Sequence, residues 1–190
     1  MGYRNVHVHE LAALTDGQAT SALRSRALWN PCQPLLIYNI DTYVNPACLR
    51  PEAIKPGSDG WIPCFQAPGE HWSFVKLNAE DWATEVTEKR RISNFASIGL
   101  YWFADCETYA ACYEDYFSDP ATLVNGERYV APLYSHLLSK GQHISIVDLP
   151  RDQVHVLGTP AELEDFIEKP APHWEDQHFP PDGNENTKGP

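Results

Sequence analysis

PLLIYNIDTYV, residues 34–44, sets an apolar run of Leu35, Leu36, Ile37 and Tyr38 ahead of Asn39, Ile40 and a lone carboxylate, Asp41. A run of this kind, with proline before it and polar residues after, reads as a strand buried on both faces inside a parallel sheet. Asp41 then stands at the strand's exit. Open α/β sheets bind their ligands outside the carboxyl ends of strands, so a carboxylate there is placed to hold a divalent cation against a phosphate. An aspartate that merely caps the following turn would look the same.

Upstream, residues 6–10 alternate Val6 and Val8 with His7 and His9 and read as a short strand. The two histidines share one face, a spacing that ligates metal and also simply lines half-exposed strands. Thr15, Asp16, Gly17 and Gln18 form a cap and turn ahead of a helix over 19–29, where Ala22, Leu23, Arg26 and Ala27 have helical spacing. A glycine loop at a helix start can present N–H groups to a ligand or only cap.

Downstream, 45–59 is rich in proline and polar residues and reads as loop. Segments 60–65, 73–77 and 84–88 are short strands, spaced closely enough for antiparallel pairing. ASIGLYWFA, 96–104, is a strongly apolar strand broken at Gly99, where a bulge or the close approach of a ligand would explain the glycine. Helices follow over 105–117, with Tyr109, Cys112, Tyr113 and Tyr116 inward, and over 129–140, with Pro132 in the first turn and Gly141 at the end. Strands at 143–149 and 153–157 precede a closing helix, 160–168, begun by Thr159 and Pro160.

The 190-residue chain, 43% hydrophobic, suits one globular domain over 1–169. The remainder, 170–190, has five prolines, two glycines and an acidic excess without apolar periodicity, and reads as a disordered tail. Five cysteines, odd in number and with no C-x-x-C pair, argue against a disulfide framework or zinc knuckle. A net charge of -12 weighs against nucleic-acid binding. With no membrane-length apolar run and no signal-peptide pattern, a cytoplasmic protein is expected.

Several short pieces occur in one order: Asn39-Ile40-Asp41 after a strand; Glu88-Lys89; Gly99 through Phe103, GLYWF; Gly126 through Tyr134, GERYVAPLY; and Gly158 through Leu163, GTPAEL. In that order and at those separations across residues 15–166, the chain resembles the sugar nucleotidyltransferases, the sugar-phosphate pyrophosphorylases that make activated sugars for capsule and lipopolysaccharide. The resemblance implies a glycosyltransferase-A-like (Rossmann-like) α/β fold, a mixed sheet flanked by helices. It implies a reaction in which a sugar 1-phosphate attacks the α-phosphate of a nucleoside triphosphate and pyrophosphate leaves. By the same resemblance Asp41 would hold Mg²⁺, Glu88 would bond sugar hydroxyls and Lys89 would pair with phosphate. Thr15, Gly17 and Gln18 would face the nucleobase, Gly99 and Tyr101 would line the sugar pocket, and Asn39 would bind substrate. Asp41 and Lys89 are the catalytic candidates.

Two departures set further expectations. The family opens with a strand, a glycine-rich loop and a basic residue that cradle the triphosphate, and no such segment precedes Val6. An N-terminally truncated sheet is therefore expected, with another copy or a partner chain supplying the loop; the alternative is a catalytically silent module that still binds sugar or nucleotide. Val156 stands where the family carries a second metal-binding acid, and His155 beside it would point the other way along a strand. A true glycosyltransferase would carry a D-x-D pair, whereas Asp41-Thr42-Tyr43 offers one carboxylate.

Overall fold

The sheet grows around β3 (Gly60–Gln66), which is buried at every residue but its last. The computed structural model of the chain describes residues 6–169. Along β3 the side chains alternate between two cores: Ile62 and Cys64 enter one, Trp61 and Phe65 the other. Both cores are apolar, so β3 has no polar face, and it is this strand that has the buried interior character expected of residues 34–44.

Seven strands form the main sheet. β1 (Leu35–Tyr38), β7 (Leu100–Phe103), β3, β6 (Phe95–Ser97), β4 (Ser73–Leu77) and β5 (Ala83–Glu88) follow in that spatial order, all antiparallel, while β8 (Ile144–Leu149) runs parallel to β3. Two strands, β2 (Thr42–Val44) and β9 (Val154–Val156), pair separately. Helices α2 (Cys106–Tyr116) and α3 (Ala131–Ser139) bring Tyr109, Tyr113, Leu133 and Tyr134 to the first core, on which α1 (Gln18–Arg24) also packs. Gly60 is needed here, because a Cβ on it would lie 2.5 Å from the Tyr134 ring. The second core is closed by β2, β9 and the loop carrying Leu49 and Ile54, with α4 (Pro160–Glu168) beside β9. This is the mixed, glycosyltransferase-A-like α/β arrangement that the resemblance implied.

Three expectations are corrected. Residues 34–44 are not a doubly buried parallel strand: β1 is an edge, antiparallel to β7, and Leu36 and Tyr38 are 53% and 41% exposed because no described element covers their face. Residues 6–10 form no strand; no described strand pairs with them, so their alternation gains no buried face, and Val8 is 86% exposed. Residues 96–104 are two strands, not one. β6 registers with the second half of β3 and β7 with its first residues, and Gly99, at φ +79°, turns the chain between them. The expected disordered tail lies outside the described residues.

Candidate active site

One cavity, about 410 Å³, opens where β1 ends, β4 begins and β5 ends. Gln18, Asn39, Asp41, Glu88, Lys89 and Gly99 all line it, although they come from four separate stretches of chain. Thr15, Gly17 and Tyr101 stand behind the wall. The chain turns out of β1 through Asn39 and Ile40, and the Asp41 carbonyl accepts from the Leu157 N–H at 2.7 Å. That bond starts the β2–β9 pair and fixes Asp41 at the cavity mouth, where its carboxylate is exposed.

The Gln18 end is held by an indirect device. Thr15 Oγ1 donates to the Gly17 carbonyl at 3.1 Å. Gly17 lies against the backbone of Arg128, so close that a Cβ would sit 2.5 Å from its carbonyl oxygen. The Arg128 N–H donates to Asp16 and the Ala19 N–H to Arg128, while the guanidinium pairs with the Asp16 carboxylate and lies over the Tyr113 and Phe117 rings. So clamped, α1 points Gln18 inward, and its amide donates to the Asn39 side chain. Gly99 completes this wall: its N–H bonds Ser97 Oγ, its carbonyl accepts from the Asn39 N–H, and a Cβ would meet Asn39 Nδ2 at 2.8 Å.

At the other end Glu88 and Lys89 leave β5. The Glu88 carboxylate accepts from Ser73 Oγ at 2.5 Å, and the buried Tyr101 hydroxyl donates to the same Oγ at 3.0 Å. Burial pushes the Glu88 carboxyl above its ordinary range, with Glu127 adding to the effect, against the Ser73 hydrogen bond and the Lys89 charge. Burial likewise pushes the Tyr101 hydroxyl up to about 12, so it stays protonated, and with the Ser73 hydrogen given to Glu88 it is the tyrosine that donates to Ser73 Oγ. Lys89 takes a left-handed backbone, φ +52°, which turns it out of the strand so that it and Glu88 both reach the cavity instead of opposite faces. Its ammonium donates to the Tyr129 hydroxyl at 2.5 Å, which holds it above its ordinary value.

Sequence reasoning missed Ser73, Glu127, Tyr129, His71, Trp72 and Glu162, all of which line the cavity. Tyr129 lay within the quoted 126–134 stretch and could have been found there. Val156 faces the cavity, paired with Thr42, whereas His155 turns away and stacks on Phe166. Among the described residues no group of three or more acidic, histidine or cysteine side chains forms a metal cage, and His7 and His9 gather none.

The nucleoside-diphosphate-sugar pyrophosphorylase of Vibrio cholerae RC9 has a crystal structure that superposes with a TM-score of 0.73 at 32% identity, covering 84% of this chain and 68% of that one. The inositol-1-phosphate CTP transferase of T. maritima shares the fold alone, with TM-score 0.60 and 14% identity over 80% of this chain and 60% of that one. No family model matches the sequence, and no curated protein matches it. With a clustered cavity on this fold and a relative this near over two thirds of its length, the chain belongs to the sugar nucleotidyltransferases.

Proposed function

We propose that this domain joins a sugar 1-phosphate to the α-phosphate of a nucleoside triphosphate, releasing pyrophosphate, in the cytoplasmic supply of activated sugars for polysaccharide or capsule synthesis. An oxygen of the sugar phosphate forms the new bond to the α-phosphorus as the bond to the bridging β-phosphate oxygen breaks. The observation that carries this reading is the convergence of Asn39, Asp41, Glu88, Lys89 and Gly99 on one cavity. Such a reaction needs two polyanions placed in line and their charge neutralised, with little covalent work for the protein.

Lys89, the cavity's ammonium, meets the phosphate of the sugar phosphate as a point charge, and Tyr129 keeps it aimed there. Glu88 accepts hydroxyls of the sugar, and Ser73 and Tyr101 fix which oxygen is free to do so. Gln18, braced by Thr15 and Gly17, reads the base edge, and Asn39 anchors it. For Mg²⁺ the donor chemistry fits: the Asp41 and Glu162 carboxylates flank Gly158, lying 3.7 and 3.9 Å from where its Cβ would be, so the missing side chain leaves room between hard oxygen ligands. Asp41 would hold the ion, which when bound draws charge from the phosphate oxygens. Mg²⁺ commonly takes only one or two carboxylates beside substrate phosphates, which suits a site with no protein cage.

A second copy or a partner chain would add its strand along the edge of β1 that no strand among the described residues pairs, where Leu36, Tyr38 and Ile40 are exposed. The test is pyrophosphate release from nucleoside triphosphates with a panel of sugar 1-phosphates, Mg²⁺ present or absent, beside calorimetric binding. Release lost in Asp41→Ala is expected; binding without release in the wild type would leave a sugar- or nucleotide-binding module instead.

A further inference from the structure

A second cavity, about 330 Å³, adjoins the first and shares His71, Trp72, Val156 and Glu162 with it, so the two form one continuous groove. It opens at the sugar end. His71 and Trp72 immediately precede Ser73, the Glu88 partner, and the Trp72 carbonyl accepts from the Lys89 N–H at 3.0 Å. Gln18, Asn39 and Gly99 of the main cavity do not line it.

The lining of this second cavity is aromatic, with Arg151 and Lys169 set against Glu162 and Asp165. Trp72 packs edge-on to Phe65, 5.3 Å between ring centroids, and its indole N–H is spent on the Pro68 carbonyl, so it presents apolar surface. The Arg151 guanidinium lies over Phe65 at 5.3 Å and gives one hydrogen bond, Nη1 to the Val154 carbonyl at 2.6 Å. Among the described residues it enters no ion pair, unlike Lys169 on the opposite wall, which is matched by Asp165 at 2.9 Å. His155, also in this wall, holds a buried Nε2 with no hydrogen-bond partner. Buried polar groups are nearly always satisfied, and an unpaired guanidinium keeps most of its donors for an oxyanion. Glu162, the acid shared by the two cavities, accepts from the Thr159 N–H and hydroxyl.

We infer that the second cavity is a subsite for an anionic substituent on the sugar phosphate, a carboxylate or further phosphate borne by the sugar and met by Arg151 and His155. The inference rests on the sugar-phosphate reading of the main cavity and adds the class of sugar. Its test is calorimetric binding of glucuronic acid 1-phosphate and glucose 1-phosphate to the full chain and to Arg151→Met and Arg151→Lys, with thermal melts as a folding control. The wild type should bind the uronic acid 1-phosphate about tenfold or more tightly than the neutral sugar phosphate, the scale of one charge-assisted hydrogen bond. That preference should vanish in Arg151→Met, survive in part in Arg151→Lys, and leave glucose 1-phosphate affinity unchanged in both. Equal affinity for the two ligands in the wild type overturns the inference while sparing the main reading. A preference retained in Arg151→Met overturns it too. Binding of neither sugar phosphate overturns both readings together.

Discussion

Replacing Gly99 by alanine probes the hinge on which both the sheet and the cavity depend. At φ +79° an L-residue pays about 1–2 kcal/mol for the left-handed backbone. The new Cβ would lie 2.8 Å from Asn39 Nδ2, 3.0 Å from Cγ and 3.1 Å from Cβ, so the Asn39 side chain must swing away and release the Gln18 amide. That lost hydrogen bond adds about 1 kcal/mol. The sum is roughly 2–3 kcal/mol, which for a domain of this size lowers the melting temperature by about 4–12 °C. Gly57→Ala is the internal control: its φ is +85° but a Cβ there meets nothing within 4 Å, so only the backbone cost of about 1–2 kcal/mol applies. Urea unfolding of both variants gives the difference, and nucleoside triphosphate binding should weaken in Gly99→Ala alone. Equal destabilisation by the two substitutions, with unchanged binding, would refute the argument that Gly99 is kept for its approach to Asn39.

The other predictions are simpler. Asp41→Ala removes an exposed carboxylate, so stability should hold within about 0.5 kcal/mol while pyrophosphate release disappears; a melting curve beside the release assay checks both. Ser73→Ala takes a hydrogen bond from Glu88, so the carboxyl should titrate higher still, seen as an upward move of the pH profile for sugar phosphate binding. Because burial already raises Glu88 in the folded state, its contribution to stability is fully present below the ordinary carboxylate range and is lost as pH rises through the raised value. Glu88→Gln should abolish that step in stability measured against pH, and a step that persists would assign it elsewhere. Arg128→Met unclamps Asp16 and the Gln18 end, so the KM for the nucleoside triphosphate should rise more than kcat falls, with the KM for sugar phosphate little moved.

Elements ruled by local chemistry could be read from the sequence. α4 begins at Thr159 and Pro160 as expected because the Thr159 hydroxyl and Glu162 carboxylate close a capping box across four consecutive residues. The Asp105 cap of α2 is equally local. β1 was misread because burial is not local: the same four apolar residues serve an interior strand or an edge, and only the neighbours decide.

The partner of Glu88 shows why part of the site stayed hidden. Counting back through an unbroken hairpin from the Leu77–Ala83 pair sets Ser73 opposite Thr87. A register shift between Lys76 and Leu77 moves every pair beyond it by one, bringing Ser73 opposite Glu88 and its hydroxyl to the carboxylate. One residue of slip also exchanges the faces of a strand, so the irregularity decides whether Glu88 meets the Ser73 and Tyr101 hydroxyls or solvent. Composition and periodicity carry no trace of it. The resemblance supplied Glu88 and Lys89 as a pair. What makes the pair usable is that bulge, together with the left-handed turn at Lys89, which lets adjacent residues of one strand face the same cavity.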